Sequence, residues 1–282
     1  MSGDYFSRPE MSQSKLKGFA KSPAQYKYMQ DNPKKPTRDM EIGTAIHYYL
    51  LEPEEFKKRY FIEDKKVDGR TTEGKEYKAL TREQELTYGK IILSKEEGDT
   101  VIGCANAALE DEDVGFLFKE GIEVEREVFF PLFGIDFKAK LDVVVPKYNA
   151  LLDVKSTALI SNDSFVKMSV SNSPMCHYDV QAYVYSEAYK HEFGQYPIST
   201  AFIGLEKSAP YHCHIYECTP LFLDRGRYYT MKYTDMYKKC LDSGKWPKHG
   251  EGERIVRLDP PDWAMREAME FGESFFSTMI RE

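Results

Sequence analysis

Two hydrophobic spacings divide the chain. In its first part apolar residues recur every three or four positions, the period of a helix with one buried face. A helix is predicted from Ser12 to Met29, with Pro33 and Pro36 interrupting the chain after it. A second runs from Asp39 to Leu51, where Ile42, Ala45, Ile46, Tyr49 and Leu50 share a face. Pro53 suits the first turn of another short helix. Asp64 to Gly74 is charged and glycine-containing, a loop, and Lys75 to about Leu117 reads as mostly helical. Near Glu123 the period falls to two. Val124, Val128 and Phe130 alternate with polar residues, Gly134 makes a turn, and Ile135 to Val145 and Ala150 to Lys155 follow as strands. Short turns between these three strands predict an antiparallel meander. A helix from Pro174 to Phe193, strands at Ile198 to Leu205 and Tyr211 to Cys218, and helices at Leu221 to Leu241 and Pro261 to Met279 complete the pattern.

These elements describe a single domain over residues 1–282. A mostly helical part (1–120) precedes an α/β core (121–218), and C-terminal helices (219–282) follow. Apolar residues make up 41% of the 282, too many for a disordered chain. No window reaches the ~18 consecutive apolar residues of a membrane span, and the first residues lack signal-peptide character. The expectation is a soluble cytoplasmic protein with no membrane partner. Five scattered cysteines form no Cys-x-x-Cys pair, so neither a structural metal nor a disulfide framework is predicted. The formal net charge of −7 argues against a protein that coats nucleic acid nonspecifically. That charge is local, however. Residues 95–127 alone carry −8, whereas residues 1–39 carry +4. The acidic segment suits an outward or partner-facing surface, and the objection to a DNA substrate largely disappears.

Candidate chemistry lies on the second and third strands. Asp153 and Lys155 are two apart, so they project to one side while Val154 faces the core. Asp142 lies near the end of the preceding strand, close enough to converge with Asp153 on one hard cation. Two carboxylates suit Mg²⁺, and an adjacent ammonium can hold an attacking water or offset charge on a phosphorane. On the following helix Gln181 and Tyr185 are four apart and share a face. Upstream, Gly43-Thr44-Ala45-Ile46-His47 sets a histidine in an apolar helix. Phosphodiester hydrolysis fits this set better than acyl transfer.

The strings Gly-Thr-Ala-Ile-His, Leu-Asp-Val-Val-Val, Leu-Leu-Asp-Val-Lys-Ser-Thr and Gln-Ala-Tyr-Val-Tyr, in this order, resemble the RecB-like branch of the PD-(D/E)XK nucleases. Within it the chain is most similar to RecE (exonuclease VIII)-type nuclease domains of phages and prophages. Met-Ser-Gln-Ser-Lys-Leu-Lys near the start and Leu-Leu-Glu-Pro-Glu-Glu-Phe after the histidine extend the likeness over residues 10–240. The resemblance implies a restriction-endonuclease-like α/β fold, a mixed central sheet flanked by helices. It implies metal ligation by His47, Asp142, Asp153 and the carbonyl of Val154, with Mg²⁺ as cofactor and Mn²⁺ as a substitute. Lys155 would act on the attacking water, and Gln181 and Tyr185 would contact DNA. Further implications are 5′-to-3′ processive digestion from double-stranded DNA ends, 3′ overhangs for homologous recombination, a homo-oligomeric ring and a RecT-type annealing partner. No iron–sulfur cluster is expected, because the cysteine spacing does not match one.

Alternatives remain open at this stage. Lys65, Lys66 and Arg70 either touch phosphate or form a solvated loop, and Glu127 is either an extra site carboxylate or an ordinary strand residue. Tyr228, Tyr229, Tyr233 and Tyr237 fit a packing face better than a base-stacking platform. A Cas4-like or structure-specific nuclease of the same fold, or a non-catalytic DNA-binding scaffold on a decayed one, are the rival functions.

Overall fold

The computed structural model describes residues 2–65, 70–171 and 176–248. Met1–Trp246 form one compact unit and Pro247–Glu282 a second. The helix predicted over Pro261–Met279, and with it Lys66 and Pro174, lies outside the described residues.

The chain opens with α1 (Ser2–Ser7), α2 (Gln13–Lys21), α3 (Pro23–Asp31), α4 (Arg38–Leu51) and α5 (Pro53–Arg59). The helix predicted from Ser12 to Met29 is thus two. Ser22 is extended, its hydroxyl accepts the N–H of Gln25, and Pro23 opens the next turn, so Ser22 ends one helix and caps the other. Strand β1 (Tyr60–Ile62), α6 (Thr72–Leu86), β2 (Ile91–Leu93), α7 (Lys95–Glu110) and α8 (Glu112–Lys119) follow. β1 and β2 pair in parallel within a stretch expected to be loop and helix. Three residues are too few to show a period, and the Ser94–Glu97 capping box starts α7 immediately after β2.

The main sheet holds β3 (Glu123–Leu132), β4 (Ile135–Val145), β5 (Ala150–Thr157), β6 (Ser199–Glu206) and β7 (Cys213–Glu217) in that order. β3, β4 and β5 form the predicted meander, β5 and β6 run parallel, and β7 returns antiparallel. The crossover from β5 to β6 contains α9 (Asn162–Ser169) and α10 (Tyr178–Phe193), and α11 (Pro220–Ser243) follows the sheet. α10 starts at Tyr178, four residues later than the predicted Pro174, with His177 in a left-handed conformation at its N-cap. Helices cover both faces. Ala45 and Ile46 of α4 and Val101 of α7 pack with Val143, Leu152 and Val154 on one side. Leu16 and Phe19 of α2 and Val180 and Val184 of α10 pack with Phe137, Leu141 and Leu151 on the other. This is the mixed, helix-flanked α/β architecture expected from the sequence.

Two irregularities in the sheet create the site. β4 pairs with β5 only over Val143–Val145, so its earlier half loses that neighbour. The N-terminal segment takes the place: Met11 N–H donates to the Asp136 carbonyl at 2.9 Å and its own carbonyl accepts from Lys138 N–H at 2.7 Å. The second irregularity is a slip in alternation. Phe137, Ala139 and Leu141 face the α10 side, yet Val143 faces the α4 side, so Asp142 and Val143 break the period of two. On β3 the same row holds Glu125, whose φ of 55° is left-handed and lies between the paired rows Val124–Val143 and Arg126–Leu141.

Candidate active site

Register places three carboxylates in one row. Glu125 is opposite Asp142 on β3 and β4, and extending the β4–β5 register by one residue puts Asp142 opposite Asp153. At that row β4 and β5 part, and the gap is reached from both faces. His47 enters from α4, while Gln181 and Tyr185 enter from α10. A cleft of about 590 Å³ opens above, lined by His47, Glu125, Asp142, Lys155 and Tyr185 among others.

The polar atoms fall into two linked groups. In the first, ligating atoms of His47, Glu125 and Asp142 all lie within 4.8 Å of one another. His47 Nε2 lies 2.9 Å from the Val154 carbonyl, which fixes Nε2 as the protonated nitrogen and turns Nδ1 toward Asp142 Oδ2, 3.5 Å away. A histidine that ligates a metal typically gives its other N–H to such a carbonyl. The Val154 carbonyl is therefore placed to orient His47. Burial, then the Lys155 charge, push the His47 imidazole below its ordinary value, which favours the neutral, lone-pair-bearing ring. Burial, then the Asp153 charge, push the Asp142 carboxyl well above the ordinary carboxylate range. One Asp142 oxygen accepts the backbone N–H of Val154 at 3.0 Å. A neutral imidazole and two carboxylates crowded on acceptor atoms form a donor set that fits a divalent cation.

In the second group Asp153 is held on both oxygens. Lys155 Nζ pairs with Oδ1, and Gln181 Nε2 donates to Oδ2 at 2.5 Å. Burial works against the Lys155 ammonium, but the carboxylates of Asp153 and Asp142 outweigh it and raise its pKa, so the lysine is charged at neutral pH. Tyr185 is buried, and burial, then the Asp142 charge, push its phenol well above its ordinary value. It stays a neutral hydroxyl.

Glu125 is the site carboxylate that sequence reasoning missed. Alternation puts Glu125 and Glu127 on the same side of β3, and Glu127 was the residue singled out. Register decides otherwise: Glu127 is opposite Lys140, two residues from Asp142. Glu125 also forms an ion pair with Lys140. Lys65 and Arg70 are not among the residues lining the cleft, and Lys65 pairs with Glu73. Tyr229, Tyr233 and Tyr237 pack against the core as a face, with Tyr228 exposed. The cysteines are free, and none joins a metal-ligating group among the described residues.

Comparison with known proteins adds the family. A model of the PDDEXK-like domain of unknown function (DUF3799) matches residues 12–258. The chain belongs to this PDDEXK-like family. No curated protein matches the sequence. Among solved structures, a crystal structure of a protein from Eubacterium rectale, described there as a candidate exonuclease, superimposes with a TM-score of 0.63. It shares 17% identity over 94% of this chain and 97% of its own. At that identity the likeness speaks for the fold, which both share.

Proposed function

We propose that this PDDEXK-like protein is a divalent-metal-dependent deoxyribonuclease that digests double-stranded DNA from an end. The observation that carries the proposal is the convergence of His47, Glu125 and Asp142 beside the Asp153–Lys155–Gln181 chain, where the sheet splits. His47, Glu125 and Asp142 would hold the cation, with Asp153 next to them in the row. Mg²⁺ is the natural occupant for the carboxylates, with Mn²⁺ better suited to the imidazole. Bound there, a divalent ion polarises a phosphoryl oxygen and lowers the pKa of a coordinated water.

The protein's own residues supply the rest. Val154 C=O holds the imidazole so that Nδ1 faces the carboxylates. Gln181 fixes the Asp153 carboxylate, and Asp153 in turn aims the Lys155 ammonium. Being charged, Lys155 is suited to hold a water oxygen or to neutralise charge that builds on the phosphate oxygens. Tyr185 closes the α10 side of the cleft with a neutral hydroxyl donor.

The RecE-type resemblance extends the proposal to 5′-to-3′ polarity, processivity through a homo-oligomeric ring, 3′ overhangs and a RecT-type partner. End-labelled linear duplex, with and without Mg²⁺, tests it. Release of the 5′ label first, with covalently closed duplex left intact, is expected. Cutting of the closed circle would favour a structure-specific nuclease, and release of the 3′ label first would reverse the polarity. DNA binding without any metal-dependent cleavage would favour the scaffold alternative.

A further inference from the structure

The cleft has two chemically distinct parts. Its floor is ionic: His47, Glu125, Asp142 and Lys155. Its rim takes apolar side chains from two helices, Tyr5 and Phe6 of α1 and Met40 and Tyr48 of α4, with Lys15, Lys138 and Lys140 among the other lining residues. Phe6 is 69% exposed and Met40 46%, so the two largest open apolar surfaces of the rim belong to these residues.

Phe6 is exposed on a backbone that is firmly tied. The buried Lys138 donates to the Tyr5 carbonyl at 2.5 Å and to the Arg8 carbonyl at 2.8 Å, on either side of Phe6. Lys15 adds donations to the carbonyls of Arg8, Pro9 and Glu10. Behind the ring stands Tyr5, buried and edge-on at 5.3 Å with an interplanar angle of 87°. Tyr5 itself leans on Phe129 at 6.0 Å. One edge of Phe6 is thereby braced, while most of the ring remains open beside an ionic floor.

A nucleotide has the matching division, a charged phosphate joined through its sugar to a flat apolar face. We propose that Phe6 stacks on the nucleobase of the nucleotide whose phosphate occupies the floor, with Met40 completing the apolar rim. This rests on the nuclease function proposed above and adds the residue that positions the substrate. Base–aromatic stacking tolerates any sequence, because every base presents a π-face. The contact thus suits an enzyme that digests DNA of arbitrary sequence.

The test crosses a protein change with a substrate change. Wild type, Phe6→Ala, Phe6→Leu and Phe6→Trp are assayed on linear duplex with an ordinary or an abasic nucleotide at the scissile position. On ordinary DNA, Phe6→Ala is expected to lower kcat/KM by roughly tenfold, near the low end for one stacked base. Phe6→Leu, which keeps apolar bulk without a ring, loses activity too, and Phe6→Trp restores it. On abasic DNA the wild type falls to the level of Phe6→Ala, and the variants no longer differ. Phe6→Trp emission, read against the background of the protein's two native tryptophans, is quenched by an oligonucleotide without metal and less by its abasic form. Equal activity of wild type and Phe6→Ala, or an equal loss on both substrates, overturns the stacking role while leaving the nuclease function standing. A wild type that digests no DNA overturns the function and the stacking role together.

Discussion

Replacing Lys17 with methionine measures the cost of burying an ammonium against the site. Lys17 lies on α2 between Leu16 and Phe19 of the α10-side core, is 5% exposed, and has its Nζ 5.9 Å from the Tyr178 ring centroid. Lys155 Nζ lies 5.4 Å from the same ring. Burial, then the Lys155 charge, push the Lys17 pKa down to about 7, with Asp153, Cys176 and Asp179 offsetting only part of the fall. The pKa drops on folding, so between about 7 and the ordinary 10.5 the unfolded chain binds a proton that the folded protein has released. Stability therefore rises with pH across this window, by at most about 1.4 kcal/mol per unit. From pH 7, where Lys17 is half titrated, to pH 9 the gain is about 2 kcal/mol. Methionine keeps an apolar stem of similar length without the charge. Urea unfolding of both proteins at pH 7, 8 and 9 gives the difference in stability, in which shifts common to both, such as those of Cys213 and Cys218, cancel. The variant is expected to be the more stable at pH 7, with its advantage shrinking by about 2 kcal/mol by pH 9. A difference that does not change with pH would refute the depressed pKa. A variant less stable at pH 7 would show that polar contacts of the ammonium outweigh its burial.

Four further outcomes are expected. Lys155→Ala and Asp153→Ala should each lower kcat by about 10²–10⁴-fold, with circular dichroism spectra unchanged; unaltered digestion would remove both from the site. Glu125→Gln should weaken Mn²⁺ binding by at least about tenfold in calorimetry, whereas Glu127→Gln should leave it unchanged. In the wild type the raised Asp142 pKa makes Mn²⁺ affinity decline as pH falls while still well above the ordinary carboxylate range. Gly226→Ala would bring a Cβ to 2.0 Å from the Asp179 carbonyl oxygen. Since that oxygen is backbone, the variant should lose about 1–3 kcal/mol and show a lower Tm.

The parts of the fold that follow a long period were legible. β3, β4 and β5, α4 and α11 fall where hydrophobic spacing puts them, and Asp142, Asp153, Lys155, His47, Gln181 and Tyr185 gather at one place. What was not legible depends on tertiary position. β1 and β2 are three residues each, and α9, at eight residues, spans only about two turns, too short to establish a period. Glu125 escaped because alternation says which side a residue faces and nothing about which row it shares. Only the register with Asp142 and a left-handed φ, which a glutamate seldom adopts, bring it into place. The division of labour among the carboxylates was equally hidden. Asp153 is engaged by Lys155 and Gln181, while the convergent trio is His47, Glu125 and Asp142, and no spacing in the chain distinguishes these arrangements.

The N-terminal segment that fills the place left by β5 also fixes when the cleft can exist. Lys138 reaches back 133 residues to Tyr5, and His47 reaches forward 107 to Val154. Gln181, which steadies Asp153, belongs to an element made later still. Closing loops of this size carries an entropic cost that grows only slowly with their length. During synthesis the carboxylate row stays incomplete until β5 has emerged, and Asp153 has no steadying amide until α10 has followed it. On the proposed function, a fragment that stops before α10 is expected to show no metal-dependent cleavage of DNA, because it lacks Gln181.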